Sequence, residues 1–166
     1  ATMLACTGLF GWCPDVVVSG INLGWNVGHS VHFSGTIGAC VTADVFDVPS
    51  IAISQPVASP DSPQRWSTAA EVAASLVPDV LETGQLLNVN VPNRPRAELG
   101  GVRYTTLADR LPYSLAAPTL VEIDSGRFAA DFERFAAFES HAGSDTAAVE
   151  SGHVSITPLR TMHAVS

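Results

Sequence analysis

A chain of 166 residues, 46 % hydrophobic and only 14 % charged, is long enough to bury a core and too apolar for compositional disorder. Its formal charge is −8 and every basic residue is an arginine, which disfavours duplex nucleic acid but leaves room for a small phosphorylated ligand held by backbone N–H groups. No apolar run reaches the ~18 residues of a membrane span, and Ala1–Cys13 has no basic signal-peptide start, so a cytoplasmic protein without membrane partners is expected.

Thr2 to Gly11 mixes small and apolar residues and reads as a helix end closed by Gly8 or Gly11. After Pro14-Asp15, the unbroken run Val16-Val17-Val18 predicts a strand buried on both faces of a parallel sheet. A loop rich in glycine and asparagine follows, and Ser34-Gly35-Thr36 opens a small, apolar helix over Ile37 to Phe46. Asp47-Val48-Pro49 breaks it, and Ser50 to Ser54 is a second buried strand, which completes a βαβ unit. Ser67 is the expected N-cap of a helix through Leu81, with Val72, Leu76, Val77 and Val80 on one face and Pro78 ending or kinking it. Leu86 to Val91 alternates Leu and Val with Asn88 and Asn90, a strand stopped by Pro92, and Asn93 to Gly101 is a polar turn region. Val102–Thr106 and Val154–Thr157 are further strands, whereas residues 112–152 read as irregular and acidic.

The polar cluster from Ser19 to Thr36 lies past the carboxyl end of a predicted parallel strand, where open α/β sheets place ligands. Glycines 20, 24, 28 and 35 permit positive φ and close backbone approach. Asn22 and Asn26 offer amide oxygens of the kind a hard cation accepts, and Ser34, Gly35 and Thr36 present hydroxyls and helix N-terminal N–H groups to a phosphate. The same residues are also ordinary loop formers and an ordinary cap, so pattern alone leaves both readings open. The cluster is neither a P-loop, which needs a lysine, nor a G-x-G-x-x-G fingerprint. His29 and His32 are three apart, but no third zinc ligand accompanies them, and packing or exposed histidines are expected. Cys6, Cys13 and Cys40 lack C-x-x-C spacing and read as reduced, partly buried thiols. No carboxylate pair, among Asp44, Asp47, Asp124, Asp131 and Glu133, has acid/base spacing, and no serine elbow is present.

Pro14-Asp15-Val16-Val17-Val18-Ser19-Gly20-Ile21-Asn22-Leu23-Gly24-Trp25-Asn26 resembles the PDLVVSGIN-x-G-x-N signature of the SurE family. Four further blocks follow in family order: Ser34–Ala39 is similar to SGTVGAA, Pro49–Ser54 to P-[SA]-IA-[IV]-S, Leu87–Pro92 to LNINVP and Val154–Leu159 to VSITPL. The resemblance implies a three-layer Rossmann-like α/β fold with a mostly parallel sheet and an irregular, β-rich C-terminal extension, over residues 1–166 as one domain. It further implies a phosphomonoesterase dependent on a divalent metal (Mg, Mn or Ca), a 5'/3'-nucleotidase acting on nucleoside monophosphates and assembling as homodimers or homotetramers. By position, Asn22 matches the family's asparagine metal ligand, Ser34, Gly35 and Thr36 match the segment around the substrate phosphate, and Asn26 matches a nearby loop asparagine. The family's TNDDG strand, whose aspartates hold the metal and supply acid/base chemistry, has no counterpart here, so no catalytic residue is assigned and a truncated unit is expected. Thr2 stands where the family usually has aspartate, His29 and Ser30 replace acidic residues, and the basic TR-x-GRR segment is reduced to Thr106-Leu107-Ala108-Asp109-Arg110. The competing expectation is a non-catalytic relative kept for nucleotide or phosphate binding or for oligomerisation.

Overall fold

The computed structural model describes residues 1–57, 62–109, 119–131 and 140–160. Five strands, β1 (Val17–Leu23), β2 (Ser50–Gln55), β3 (Leu86–Asn90), β4 (Val102–Tyr104) and β7 (Val154–Leu159), form one sheet in the order β1-β2-β3-β7-β4. The β1–β2, β2–β3 and β4–β7 pairs are parallel, and β7 runs antiparallel to β3. A separate hairpin joins β5 (Thr119–Asp124) to β6 (Arg127–Asp131). The α-helices among the described residues are α1 (Thr2–Cys6), α2 (Gly35–Asp44), α3 (Trp66–Thr83) and α4 (Asp145–Glu150).

Strand alternation separates two chemically different faces. Ile51 and Ile53 of β2, Leu87 and Val89 of β3, Val91 just beyond it, and Val154 and Ile156 of β7 are buried together with Ala69, Val72, Ala73 and Val80 of α3. On the other face Ala52 and Leu86 pack with Ile37 and Cys40 of α2. Toward the carboxyl ends of β2 and β3 that second face turns polar, with Ser54, Asn88 and Asn90 wholly buried. The result is a helix–sheet–helix sandwich with a mostly parallel sheet, as expected, whose α2 face changes from apolar to hydrogen-bonding toward one end.

Several local expectations are corrected. Val18 and Leu23 of β1 are exposed, so this strand is not buried on both faces, and β2 is its only partner among the described strands. The third helix begins at Trp66, not after Ser67, with Arg65 at the N-cap position and no side-chain cap. Tertiary bonds fix that end instead: the Arg65 amide donates to Asn93 Oδ1 at 2.8 Å, and Gln55 Nε2 donates to the Arg65 carbonyl at 3.1 Å. Pro78 lies inside the helix, which runs on to Thr83 and closes at Gly84 in the left-handed region. The turn beyond Pro78 carries Val80, wholly buried against the sheet, and that burial offsets the hydrogen bond that proline removes. The region read as irregular contains the β5–β6 hairpin and α4. Arg110 and Glu133 lie outside the described residues.

The thiols divide by environment. Cys6 and Cys40 are buried and Cys13 is exposed, which corrects the expectation of three partly buried groups. Burial pushes the Cys40 thiol up to about 11, only partly offset by hydrogen bonds from Ser50 and the Ser19 backbone. Thiolate is the reactive form, so native protein at pH 8 is expected to react rapidly with a chromogenic disulfide at Cys13 alone, and with Cys40 only after unfolding. Rapid modification of Cys40 in the folded chain, read by peptide mass, would contradict this burial.

Candidate functional site

The site begins where β1 loses regular pairing. Val17, Val18 and Ser19 pair with Ser50, Ile51 and Ala52, then the register shifts before Asn22 meets Ser54. Gly20 sits in this irregularity at φ +130°, and a Cβ there would run into the Ile53 carbonyl and lie 2.7 Å from Ile53 Cγ2. Only glycine permits this close approach of β1 to β2, and the register shift sets which residue of β2 Asn22 pairs with. Asn22 is half-buried and its Nδ2 donates to the Gly24 carbonyl at 2.8 Å, which orients the amide and aims Oδ1 the other way. Gly24 and Gly28 also take positive φ, as expected, whereas Gly35 does not.

Beyond β1 the loop is clamped from below by the polar end of the sheet. The Asn26 amide donates to Asn90 Oδ1 at 2.9 Å, and its carbonyl accepts from Asn88 Nδ2 and Asn90 Nδ2 at 2.8 and 2.9 Å. Its own Nδ2 donates to Ser54 Oγ at 2.8 Å. Asn26, expected beside the substrate, is thus almost wholly buried and fastens the loop to β2 and β3. Val27 is wholly buried next to it.

A second clamp comes from far along the chain. Asp145 has no exposed surface, and its Oδ2 accepts from the Gly28 amide at 2.8 Å. Its Oδ1 accepts from the Ala108 amide at 3.0 Å and from the Thr146 amide and hydroxyl at 2.7 and 3.3 Å. One carboxylate therefore ties the loop after β1, the segment after β4 and the start of α4. Neither this residue nor the roles of Asn88 and Asn90 were visible as site features in the sequence. The available signal was Ser144-Asp145 before the short run Thr146-Ala147-Ala148-Val149, which predicts a capped helix; Ser144 does cap it, accepting from the Ala147 amide at 3.2 Å.

After Gly28–Phe33, a 3-10 turn, Ser34 caps α2: its Oγ accepts from the Ile37 amide at 3.2 Å. The amides of Gly35 and Thr36 fall in the first turn, where no intrahelical acceptor exists. The space a Cβ would occupy at Gly35 is open. The end of α2 is thus an uncovered donor group with the helix dipole behind it, suited to an oxyanion. His29 and His32 face each other at 6.0 Å between ring centroids, and among the described residues no three His, Cys, Asp or Glu side chains gather as a metal site. One amide oxygen does not hold a divalent cation against water, so Asn22 by itself is at most one ligand of such a site. The Trp25 indole N–H is buried without a partner among the described residues.

Relatives share this framework. The family described as "Survival protein SurE" matches residues 1–113. The 5'/3'-nucleotidase SurE of Shigella dysenteriae serotype 1 is 37 % identical over 158 residues, covering 89 % of this chain and 57 % of the relative. The 5'-nucleotidase SurE of Legionella pneumophila strain Paris is 38 % identical over 174 residues, covering 94 % and 62 % respectively. The crystal structure of the SurE protein from Aquifex aeolicus superposes with a TM-score of 0.70 at 30 % identity, covering 95 % of this chain and 64 % of that one. The chain spans about three-fifths of the length of the curated relatives it matches. With the family model matching residues 1–113 and a solved SurE protein superposing over 95 % of the chain at 30 % identity, the chain belongs to the SurE family.

Proposed function

We propose that this chain forms part of a metal-dependent phosphomonoesterase that hydrolyses nucleoside monophosphates, a 5'/3'-nucleotidase. The observation that carries the reading is the open N-terminus of α2, reached from β1 through the clamped loop, in a chain whose relatives carry nucleotidase names. In this reading the Gly35 and Thr36 amides donate to the phosphoryl oxygens, and the Ser34 hydroxyl, whose oxygen already caps the helix, still has its proton to donate. Water attacks phosphorus as the ester P–O bond breaks, and the released nucleoside oxygen takes a proton, giving inorganic phosphate. Charge spread over the equatorial oxygens is met by donors that are already oriented, so little reorganisation is needed. Asn26 contributes by fixing the loop's height above the sheet, and Asn22 Oδ1 is the ligand this chain offers to the cation. The carboxylates such a cation also requires are not gathered among the described residues.

Phosphate release from a panel of nucleoside monophosphates with Mn²⁺ or Mg²⁺, using the complete gene product, tests the reading. Turnover is expected to be abolished by a chelator and lowered by Asn22→Ala at least as much as the ~10- to 100-fold typical of losing an outer-sphere partner of a metal. Absence of turnover in a folded, metal-supplied protein sinks the hydrolase. Phosphate binding under those conditions would then favour the non-catalytic binding protein.

A further inference from the structure

The loop between β1 and α2 carries a pair of histidines that the chemistry above does not use. Gly28–Phe33 is a 3-10 turn, and with three residues per turn its side chains at i and i+3 eclipse. His29 and His32 therefore project from one side of the turn, with ring centroids 6.0 Å apart and planes tilted by 56°. Both residues are exposed, and among the described residues neither imidazole makes a hydrogen bond or an ion pair. The backbone that carries them is held at both ends. Gly28, Ser30 and Val31 are buried, the Gly28 amide donates to Asp145, and the Ser30 hydroxyl donates to the Val27 carbonyl at 2.6 Å. At the far end Ser34 closes the turn and caps α2. Two unengaged imidazoles thus share one side of a fixed turn.

We infer that His29 and His32 together bind a late first-row divalent cation: Ni²⁺, Cu²⁺ or Zn²⁺. A metal–nitrogen bond of about 2.0–2.1 Å puts the cation about 3.2 Å from each ring centre, so two such arms span about 5.2 Å at the tetrahedral angle and about 6.4 Å when opposed. The 6.0 Å between the rings falls within that span. Rotation about χ1 and χ2 of two exposed side chains supplies the remaining adjustment. Imidazole nitrogen suits these ions, whereas Mg²⁺ and Ca²⁺ take oxygen ligands, so the pair selects a different cation from one held at Asn22 Oδ1. Water completes the coordination, because no third His, Cys, Asp or Glu joins the pair among the described residues. The fixed turn strengthens binding. Once one imidazole has the cation, the other is already within reach, so the second bond forms intramolecularly with little freedom left to lose. Nothing in this inference depends on phosphate hydrolysis.

Titration calorimetry with Ni²⁺ on the complete, untagged gene product tests the pair, with Mg²⁺ in excess to fill sites built from oxygen. Saturable Ni²⁺ binding is expected despite the Mg²⁺, and His29→Ala and His32→Ala are each expected to weaken it about tenfold or more, since either change removes a direct ligand. His141→Ala, which changes a histidine outside the turn, is expected to leave the affinity unchanged. Both ligand positions are exposed, so the alanine variants keep the fold and the comparison reads ligation alone. Pulsed EPR of the protein with substoichiometric Cu²⁺ supplies the second readout, because it counts coordinated imidazoles: two are expected in the parent and one in each single variant. Ni²⁺ affinity retained by either variant, a single imidazole on Cu²⁺ in the parent, or no saturable binding of either ion overturns the site. Each of those results would leave the phosphomonoesterase reading untouched, as loss of turnover would leave the histidine pair.

Discussion

Asp145→Ala is expected to cost about 3–5 kcal/mol of folding stability, a fall of roughly 10 °C or more in the unfolding midpoint. The size follows from what is left behind. Three backbone amides, those of Gly28, Ala108 and Thr146, now donate to this wholly buried carboxylate. Alanine offers none of them an acceptor, and each orphaned donor costs about 1–3 kcal/mol unless water enters. Asp145→Asn is the informative control. It keeps the shape and one acceptor oxygen, but aims an NH₂ group at either the Gly28 amide or the Ala108 and Thr146 amides. A loss of about half the alanine effect is expected, with amide hydrogen exchange at Gly28 accelerated ahead of global unfolding. An alanine variant as stable as the parent, measured by urea denaturation, would show that the loop after β1 does not depend on this clamp.

That clamp also marks how far the sequence could be read. β2, β3 and β7 announce themselves as short apolar or alternating runs ended by polar or proline residues, and the cap at Ser34 fixes where α2 begins. The loop from Gly20 to Gly28 was legible because several glycines and asparagines in one stretch need a backbone reason. What stayed hidden is long-range. Asp145 lies 117 positions from the Gly28 amide it binds, and no local pattern encodes such a partner. Asn88 and Asn90 were visible as the polar half of an alternating strand, yet their value lies in closing the Asn26 backbone 62 and 64 residues away. Pro78 worked in the opposite direction: a rule about local hydrogen bonding allowed an end there, and burial of Val80 two residues later carried the helix on to Thr83. β1 misled because three consecutive valines look the same whether a strand is central or has one neighbour.

Gly20→Ala is the second large effect, and it reaches both stability and the site. The φ of +130° lies outside the regions open to L side chains, which alone costs on the order of 1–3 kcal/mol. The added methyl also has nowhere to go: the Ile53 carbonyl blocks it, with Ile53 Cγ2 at 2.7 Å. Ile53 is buried in the α3-side core, so retreat of β2 would open a gap among Val72, Val89 and Ile156, adding about 1–3 kcal/mol for the misfit. The combined expectation is a loss of about 3–5 kcal/mol by chemical denaturation. Because the shift in register lies between Ser19 and Asn22, any rearrangement that saves the fold must move Asn22. If the variant survives folding, its phosphate release and its affinity for Mn²⁺ are expected to fall together, whereas Ser34→Ala, which removes a helix cap, should lower stability by only about 1 kcal/mol and leave Mn²⁺ affinity unchanged. A stable Gly20→Ala protein with parental metal affinity would mean that β1 can pair with β2 without the glycine, and that Asn22 does not owe its position to this bulge.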